Sequence, residues 1–305
     1  MGITKTSPVL VVGASGRVGS ELVRLLESKG TLLRAASRNP SSQQARTPTT
    51  RWVELDLDKP ETFDAALEGV ETAFLMARPG DERPQVSAIP LLHAMVQAGV
   101  RRVINLTAMG TELRPDFGLR QVELSLENSG MKWTHLRPNF FMQIFCSGPH
   151  FAQLFRLRQL RLPAADARIS FIDSRDIAAV AAKCILEQDD ENRAYTLTGP
   201  TALSHADVTK AISSASESEF TYVPLSDDEA RHEFAAAGLP AENVERLIGF
   251  YRIVRTGMAS TISPHVKMCL GRAPREFSRF AEEHAKTWHL LGANPSGAKG
   301  LGPCS

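Results

Sequence analysis

The sequence is poor in several features that mark other classes of protein. Its 305 residues include only four cysteines, and no two of them stand close enough in sequence to form a zinc or redox pair. The net charge is only +1, so nothing points to a nucleic-acid partner. No apolar run is long enough to cross a bilayer, and no signal-peptide core precedes the first predicted strand. These absences predict a cytoplasmic protein with no metal site and no membrane partner.

The chain has the composition of an ordinary globular protein. Hydrophobic residues make up 43% of it and charged residues 23%, which excludes a mainly disordered chain. A chain of 305 residues exceeds a typical single core. We therefore expect one large α/β domain that carries a smaller second lobe.

A turn punctuated by three glycines follows the first apolar run. Val9–Val12 is a run of branched residues that suits a strand buried on both faces of a parallel sheet. Apolar residues then recur at helical spacing beyond the turn. Glycines at a helix N-terminus let a dinucleotide's pyrophosphate approach the backbone N–H groups, where the helix dipole favours negative charge. The predicted cofactor contacts here are Gly13, Ser15, Gly16, Arg17, Val18 and Gly19.

Arg38 indicates which dinucleotide binds. It follows the second predicted strand, at the position roughly 20 residues beyond the glycine turn that meets the adenosine ribose in dinucleotide folds. An acidic residue at that position favours a free 2′-hydroxyl, whereas an arginine favours a 2′-phosphate. Arg38 therefore predicts NADP(H) as the cofactor.

Further contacts are expected where the strands end, because open α/β sheets bind ligands at the carboxyl ends of their strands. Asp56 closes the third predicted strand, and its carboxylate either meets the adenine amino group or caps a turn. The loop after the fourth strand either borders the cleft or is simply exposed. The predicted cofactor contacts at these ends are Asp56, Leu57, Met76, Ala77, Arg78, Thr107, Pro138, Asn139 and Phe140.

Strands and helices alternate along the first two thirds of the chain. The predicted strands cover residues 9–12, 32–36, 52–55, 72–76, 102–106, 131–136, 169–172 and 195–198. Helices are predicted beyond residue 200, at 204–216, 226–237, 241–255 and 274–287. This pattern predicts an α/β, Rossmann-type doubly wound parallel sheet with a smaller, mainly helical C-terminal substrate lobe. We assign 1–150 to an NADP-binding domain completed by about 168–200, 151–290 to the substrate lobe and 291–305 to a flexible tail.

Several further motifs accompany the glycine turn. They are Ser37-Arg38-Asn39-Pro40, the run from Ser129 to Met142, Asp173-Ser174-Arg175-Asp176-Ile177-Ala178 and Leu197-Thr198-Gly199-Pro200. Together they resemble the NmrA-like, atypical short-chain dehydrogenases/reductases, which include quinone, triphenylmethane and ergot-alkaloid reductases. The resemblance covers nearly the whole chain and implies NADP binding. It does not specify a reaction, since the family contains both reductases and NADP-sensing regulators.

The resemblance also shows that a catalytic motif is missing. The family's wider relatives use Tyr-x-x-x-Lys, in which the lysine lowers the pKa of a tyrosine that moves the substrate proton. Aligned on Glu123, this chain has Leu119 at the lysine position and Pro115 at the tyrosine position, and neither can move a proton. Glu123 is either an acid with a raised pKa or a salt-bridged or capping carboxylate. Thr107 matches the family's strand-end Ser or Thr, which could hydrogen-bond a substrate oxygen, so the two catalytic candidates are Thr107 and Glu123.

An aromatic cluster follows the sixth predicted strand. It either binds a flat, apolar substrate or forms a plain core. Its members, taken as candidate substrate contacts, are Phe141, Met142, Phe145, Phe151 and Phe155. His135 lies inside that strand and is expected to be a packing residue rather than a catalytic one.

The hypothesis that these observations favour is an NADPH-dependent reductase of a small, apolar electrophile, a chemistry suited to secondary metabolism. Hydride addition to an iminium ion requires no proton donor, and a quinone or an enone can take its proton from water. Two alternatives stay open: an NADP-sensing regulator without catalysis, and a non-redox cyclase or isomerase on the same fold. The expected partner is a small-molecule substrate, and the expected oligomeric state is a monomer or a homodimer.

Overall fold

The computed structural model describes residues 7–78, 80–187 and 192–289. Within these ranges no helix combines the length and the apolar character that a membrane span requires. The chain forms two compact units. Unit 1 comprises the residues up to Pro138, together with Ser174–Leu197 and His265–Arg272. Unit 2 comprises Asn139–Asp173, Thr198–Pro264 and the residues from Ala273 onward.

Unit 1 is built on a parallel sheet to which the described residues contribute seven strands. They are β1 Val9–Val12, β2 Leu33–Ser37, β3 Thr50–Glu54, β4 Thr72–Met76, β5 Arg102–Leu106, β6 Lys132–Pro138 and β8 Arg193–Leu197; the strand β7, Gln159–Leu162, belongs to unit 2. Their order is β3-β2-β1-β4-β5-β6-β8, and every neighbouring pair is parallel. The order reverses between β1 and β4, which is where such sheets bind ligands. The predicted Rossmann-type fold is confirmed.

Helices cover this sheet because their apolar residues repeat on one face. In the first helix, Val18, Leu22, Val23 and Leu26 are buried together. The helices of unit 1 are α1 Arg17–Glu27, α2 Phe63–Leu67, α3 Pro84–Gln97, α4 Gly118–Glu127, α6 Ser174–Glu187 and α10 His265–Leu270. The core under α2, α3 and α4 is made of aliphatic side chains and one phenylalanine, Phe63. A rigid layer of this kind fixes the positions of the strand ends that carry the predicted site.

Unit 2 is mainly helical and has an aromatic core. Its elements are α5 Pro149–Leu157, α7 His205–Ser216, α8 Asp227–Ala236, α9 Ala241–Arg255, α11 Phe277–His289 and the strands β7 Gln159–Leu162 and β9 Thr221–Pro224. The two strands form a parallel pair. Capping boxes begin α7 at Ser204 and α8 at Ser226.

The structure differs from the sequence-based prediction at residues 169–172. The strand predicted there is wrong, because Ile169 and Ile172 each form only an isolated bridge, to Leu203 and Phe141 respectively. The first segment of unit 1 ends at Pro138, where β6 also ends. The domain boundaries predicted from the sequence stay a prediction. The tail predicted at 291–305 lies outside the described residues.

Candidate functional site

The three glycines of the turn between β1 and α1 are needed for different reasons. Gly13 has a φ of +70°, and a Cβ on it would lie 2.9 Å from the Sδ of Met76. A Cβ on Gly19 would lie 2.1 Å from the carbonyl oxygen of Gly13, so Gly19 allows the helix to pack on the turn. A Cβ on Gly16 would meet, among the described atoms within 4 Å, only that same carbonyl oxygen at 3.2 Å. Gly16 therefore borders open space, and a side chain there would fill it.

The N-terminus of α1 completes this cradle. The first-turn N–H groups of an α-helix have no acceptor inside the helix. Gly16 is the N-cap residue, and within the described residues no side chain caps the helix and no acidic residue lies in its first turn. The positive end of the helix dipole thus faces the open space beside Gly16. These residues fit a dinucleotide, whose pyrophosphate would be held by the turn's backbone N–H groups.

Three arginines lie near this cradle. Arg38 is exposed directly after β2, and Arg17 is exposed at the first position of α1. Arg46 was not among the contacts predicted from the sequence. In the structure Arg46 lines a cavity of about 110 Å³ together with Ala14 and Ser15 of the turn. The sequence around Arg46 has no local pattern that indicates this position beside the turn.

Several other predicted cofactor contacts already have partners within unit 1. The Asp56 carboxylate accepts a hydrogen bond from the Asp58 N–H at 3.2 Å, which is the turn-capping alternative. Leu57 is buried in the core. The Arg78 guanidinium donates to Asp58, which raises the pKa of Arg78, and it also pairs with Asp81 at 3.4 Å. Arg78 therefore holds the loop after β4 rather than presenting an unpaired charge.

The two catalytic candidates, Thr107 and Glu123, lie side by side, a contact that was not predicted from the sequence. Thr107 follows the carboxyl end of β5, and its Oγ1 donates to Oε1 of Glu123 at 2.8 Å. Arg137 of β6 donates to both oxygens of the same carboxylate, at 2.9 and 2.8 Å. Arg120 donates to Oε2 at 2.9 Å. Glu123, fully buried on α4, thus links the ends of two strands.

The protonation state of Glu123 follows from these contacts. Burial has the largest single effect and raises the pKa of Glu123, but the hydrogen bonds from Arg137 and Thr107 and the charges around the carboxylate together outweigh burial and hold the pKa below its usual value. The carboxylate is therefore ionised at neutral pH. The raised pKa that an acid requires is absent, and the structure favours the salt-bridged alternative for Glu123.

A second layer of polar side chains lies behind Glu123. Arg120 also donates to Oε1 of Glu127 at 2.6 Å, and Nε2 of His135 lies 3.2 Å from the same oxygen. Burial lowers the pKa of His135 to about 4, so this ring is a neutral packing residue stacked on Trp133. Ligand atoms of Glu123, Glu127 and His135 lie within 4.8 Å of one another, a spacing that could hold a cation. The guanidiniums of Arg120 and Arg137 already supply positive charge to these carboxylates.

The residues after β6 are held in the interior of unit 2 to different extents. Nδ2 of Asn139 donates to Oγ of Ser170 at 2.7 Å and to the Ala259 carbonyl at 2.8 Å, which commits both protons of this amide. Met142 and Phe145 belong to the buried core, which is the plain-core alternative for them. Among the other aromatic candidates, Phe140, Phe141 and Phe151 are partly exposed, and the side chain of Phe155 lies outside the described residues.

Sequence comparison agrees with this geometry. A family model described as NAD(P)H-binding matches residues 13–188, more than half of the chain. NAD(P)H azoreductase of Xenophilus azovorans is 32% identical over 287 residues, which cover 91% of this chain and 98% of that protein. The residues matched by the family model include the glycine turn and the Thr107–Glu123 pair.

Two solved structures share the fold. Citrobacter sp. triphenylmethane reductase, complexed with NADP(H), has a TM-score of 0.77 at 18% identity and covers 91% of this chain and 99% of its own. NmrA, a negative transcriptional regulator, has a TM-score of 0.73 at 16% identity, with coverage of 95% and 99%. At such identities these likenesses show the fold alone. The family match and the azoreductase relative show more: the chain belongs to the NAD(P)H-binding, NmrA-like atypical short-chain dehydrogenases/reductases.

Proposed function

We propose that this protein is an NADPH-dependent reductase that transfers hydride to a small, apolar electrophile such as an iminium ion, a quinone or an enone. The observation that carries the proposal is the open cradle at Gly16, with Arg38 exposed directly after β2, the strand paired with β1. The azoreductase relative supports a reductase acting on an electron-poor, apolar acceptor. NADPH, when bound, supplies the hydride, and the chain's own residues bind and orient it.

Each part of unit 1 has a separate task in this proposal. The glycine turn and the N-terminus of α1 hold the pyrophosphate through backbone N–H groups. Arg38, with Arg17 and Arg46 near the same turn, supplies positive charge for a 2′-phosphate. Met76 packs against Gly13 and shapes the turn from the end of β4. Thr107 stands at the end of β5, two strands from β1 in the sheet.

The type of electrophile is inferred from whether Thr107 or Glu123 has a proton to give to a substrate. Glu123 is ionised and fully hydrogen-bonded, and the Thr107 proton is donated to it. Neither group can therefore give a proton to a substrate at neutral pH. Reactions that need hydride alone, or that take a proton from water, suit this arrangement better than reduction of a simple ketone.

We expect deuterium from 4-deuterated NADPH to be bound to carbon in the product of an iminium or enone acceptor, whereas a hydroquinone keeps no label because its O–H groups exchange with water. A simple ketone such as cyclohexanone is expected to react about 10² to 10⁴ times more slowly, because general acid catalysis typically contributes that factor. Mass spectrometry of the products and stopped-flow absorbance at the NADPH band would measure both effects. Equal rates for ketone and quinone would contradict the hydride-only mechanism.

We expect Arg38→Asp to reverse the cofactor preference from NADP(H) to NAD(H). A charge-assisted contact to a phosphate contributes about 1.5–3 kcal/mol, which is tenfold or more in affinity. Calorimetric titration of both cofactors against the parent protein and the variant measures the change. Arg51→Asp, on the exposed edge strand β3, is the matched control for loss of a surface arginine. Equal affinity of the parent for both cofactors would refute the role of Arg38.

An NADP-sensing regulator is the second candidate function. The fold shared with the regulator NmrA and the ion-paired state of Glu123 favour it. A protein that binds NADPH tightly but neither transfers label to an iminium or enone acceptor nor oxidises NADPH with a quinone would be such a sensor. The labelling experiment therefore separates the two functions.

A further inference from the structure

We propose that Thr107 is a hydrogen-bond acceptor for a donor group of the cofactor's nicotinamide half, and that Glu123 is the positioning residue that makes it an acceptor. The proposal rests on the cofactor of the proposed function. It assigns the opposite hydrogen-bond direction to the one expected from sequence, where Thr107 was a donor to a substrate oxygen. The group recognised is an N–H or an O–H.

The inference rests on the proton and the lone pairs of the Thr107 hydroxyl and on the acceptors that surround it. A threonine hydroxyl has one proton and two lone pairs. Oγ1 lies 2.8 Å from Oε1 of Glu123 and 3.5 Å from the Leu136 carbonyl oxygen, and both of these atoms can only accept. The single proton is therefore directed inward. What remains for a ligand is a lone pair.

The hydrogen bond runs from Thr107 to Glu123 because Glu123 is held in its ionised form. Three guanidinium hydrogen bonds, two from Arg137 and one from Arg120, reach the two oxygens of a carboxylate whose exposed fraction is 0%. A protonated Glu123 could donate to Thr107, but protonation would place an O–H against one of these arginines. Thr107 has an exposed fraction of 8%, so a small part of this buried residue borders solvent, from which a ligand donor would approach it.

The position of Thr107 indicates which part of the cofactor it meets. The pyrophosphate cradle lies at the end of β1, and β4 and then β5 follow it in the sheet. Adjacent strands lie about 4.8 Å apart, so the end of β5 is about 10 Å from the end of β1. A dinucleotide laid across the carboxyl ends of the strands brings its nicotinamide riboside into this region. That half carries donors in its carboxamide N–H₂ group and in its ribose hydroxyls.

Thr107→Val tests the proposal, because valine keeps the shape of threonine and removes the acceptor. We expect the Kd for NADPH to rise five- to tenfold, the effect of losing one neutral hydrogen bond. Thr107→Ser, which keeps the hydroxyl, is expected to bind within about twofold of the parent. Thr72→Val is the matched control, because Thr72 is as buried as Thr107 but lies at the opposite, amino end of β4.

A cofactor analogue separates the two sources of the donor. The 3-acetylpyridine analogue of NADPH replaces the carboxamide with an acetyl group and has no N–H there. If Thr107→Val weakens NADPH but not the analogue, the carboxamide is the donor. If it weakens both equally, a ribose hydroxyl is the donor. Unchanged NADPH affinity in Thr107→Val would overturn the inference, while a parent protein that binds no NADPH at all would overturn the proposed function instead.

Glu123→Gln tests the positioning role through non-additivity. A glutamine amide can donate to Oγ1 of Thr107 and release the hydroxyl proton, so this variant should lose the same NADPH interaction as Thr107→Val. The double variant is then expected to bind NADPH no more weakly than Thr107→Val alone. Additive losses would mean that Glu123 acts independently of Thr107. Thermal unfolding checks that the variants are folded, and if Glu123→Gln does not fold, Thr107→Val and Thr107→Ser decide the question.

Discussion

Gly19→Ala is expected to destabilise unit 1 strongly, whereas Gly16→Val is expected to keep the fold and lose the cofactor. The added Cβ of Gly19→Ala would lie 2.1 Å from the carbonyl oxygen of Gly13 and 2.7 Å from its carbonyl carbon. Both are backbone atoms of the turn, so neither can move aside as a side chain would. We expect a loss of about 3 kcal/mol or more in the free energy of unfolding, measured by urea denaturation.

Gly16→Val acts on the ligand instead of the fold. The backbone of Gly16 is extended, with φ −84° and ψ 174°, a conformation that valine adopts readily. Its Cβ would meet only the Gly13 carbonyl within the described structure, at 3.2 Å, and the rest of the side chain would enter the cradle. We expect at least a hundredfold weaker NADPH binding, about 2.7 kcal/mol, with a much smaller change in unfolding free energy.

The contrast between the two variants is the control for each of them. If Gly16→Val unfolds the protein as Gly19→Ala does, the turn is only a packing element. If Gly16→Val keeps NADPH affinity, the cradle does not hold the pyrophosphate. Gly13→Val is a poor test of either point, because Gly13 has a φ of +70° and its Cβ would press on Met76. The sequence motif treats Gly13 and Gly16 as equivalent, and only the three-dimensional contacts distinguish them.

The parallel sheet was predictable because its signals are local. Each buried strand is a short apolar run followed by a turn and a helix, and Val9–Val12 with α1 is the clearest case. The pair β7 and β9 was not predicted, since Gln159–Leu162 meets Thr221–Pro224 across sixty residues of chain. Residues 169–172 have the apolar composition of a strand but only two isolated bridges. Pairing between two segments that are distant in sequence produces no hydrophobic pattern within either segment.

Part of the candidate site was likewise predictable from the sequence, and part was not. The cradle was predictable because glycine spacing reports a backbone requirement. The role of Glu123 was not, since it depends on Arg137 from β6 and Arg120 from α4 meeting one carboxylate. The resemblance named Thr107 and Glu123 as catalytic candidates, but it could not show that they touch or that two guanidiniums keep the carboxylate ionised. Electrostatic environments of this kind arise from side chains that converge from separate elements.

The protein is expected to lose stability as the pH falls below about 6.5, because buried histidines must become charged. Burial lowers the pKa of His135 in unit 1 to about 4. In unit 2, burial lowers the pKa of His205 to about 3, and the neighbouring His150 lowers it further. Each imidazole is neutral in the folded protein and takes up a proton near pH 6.5 when unfolded. The contribution of the neutral histidines to the free energy of unfolding is therefore fully present above pH 6.5. It is lost as the pH falls from there toward their pKa values in the folded protein.

The size of the effect follows from linkage. At pH 5 each histidine lies 1.5 units below its unfolded pKa of about 6.5, which corresponds to roughly 2 kcal/mol per group at about 1.4 kcal/mol per unit. Protonation of His135 and His205 on unfolding therefore lowers the free energy of unfolding at pH 5 by roughly 4 kcal/mol, a large part of an ordinary domain's stability. Carboxylates act in the same direction at lower pH, since ion pairs lower the pKa of Glu123 and also that of Asp227, to about 2. The fall between pH 6.5 and pH 5 is therefore assigned to the histidines.

His205→Phe isolates the contribution from unit 2. The ring of His205 stacks on Tyr222 with centroids 5.5 Å apart and packs edge to face on Phe145 and Phe171, so a phenyl ring keeps these contacts. Nδ1 of His205 has no hydrogen-bond partner among the described residues, so little is lost at pH 8. At pH 5 the variant is expected to be more stable than the parent by roughly 2 kcal/mol. Urea denaturation of both proteins at the two pH values measures this difference, with His93→Gln, an exposed site on α3, as the matched control. A variant with the same acid sensitivity as the parent would show that His205 binds its proton equally well in the folded and unfolded chain.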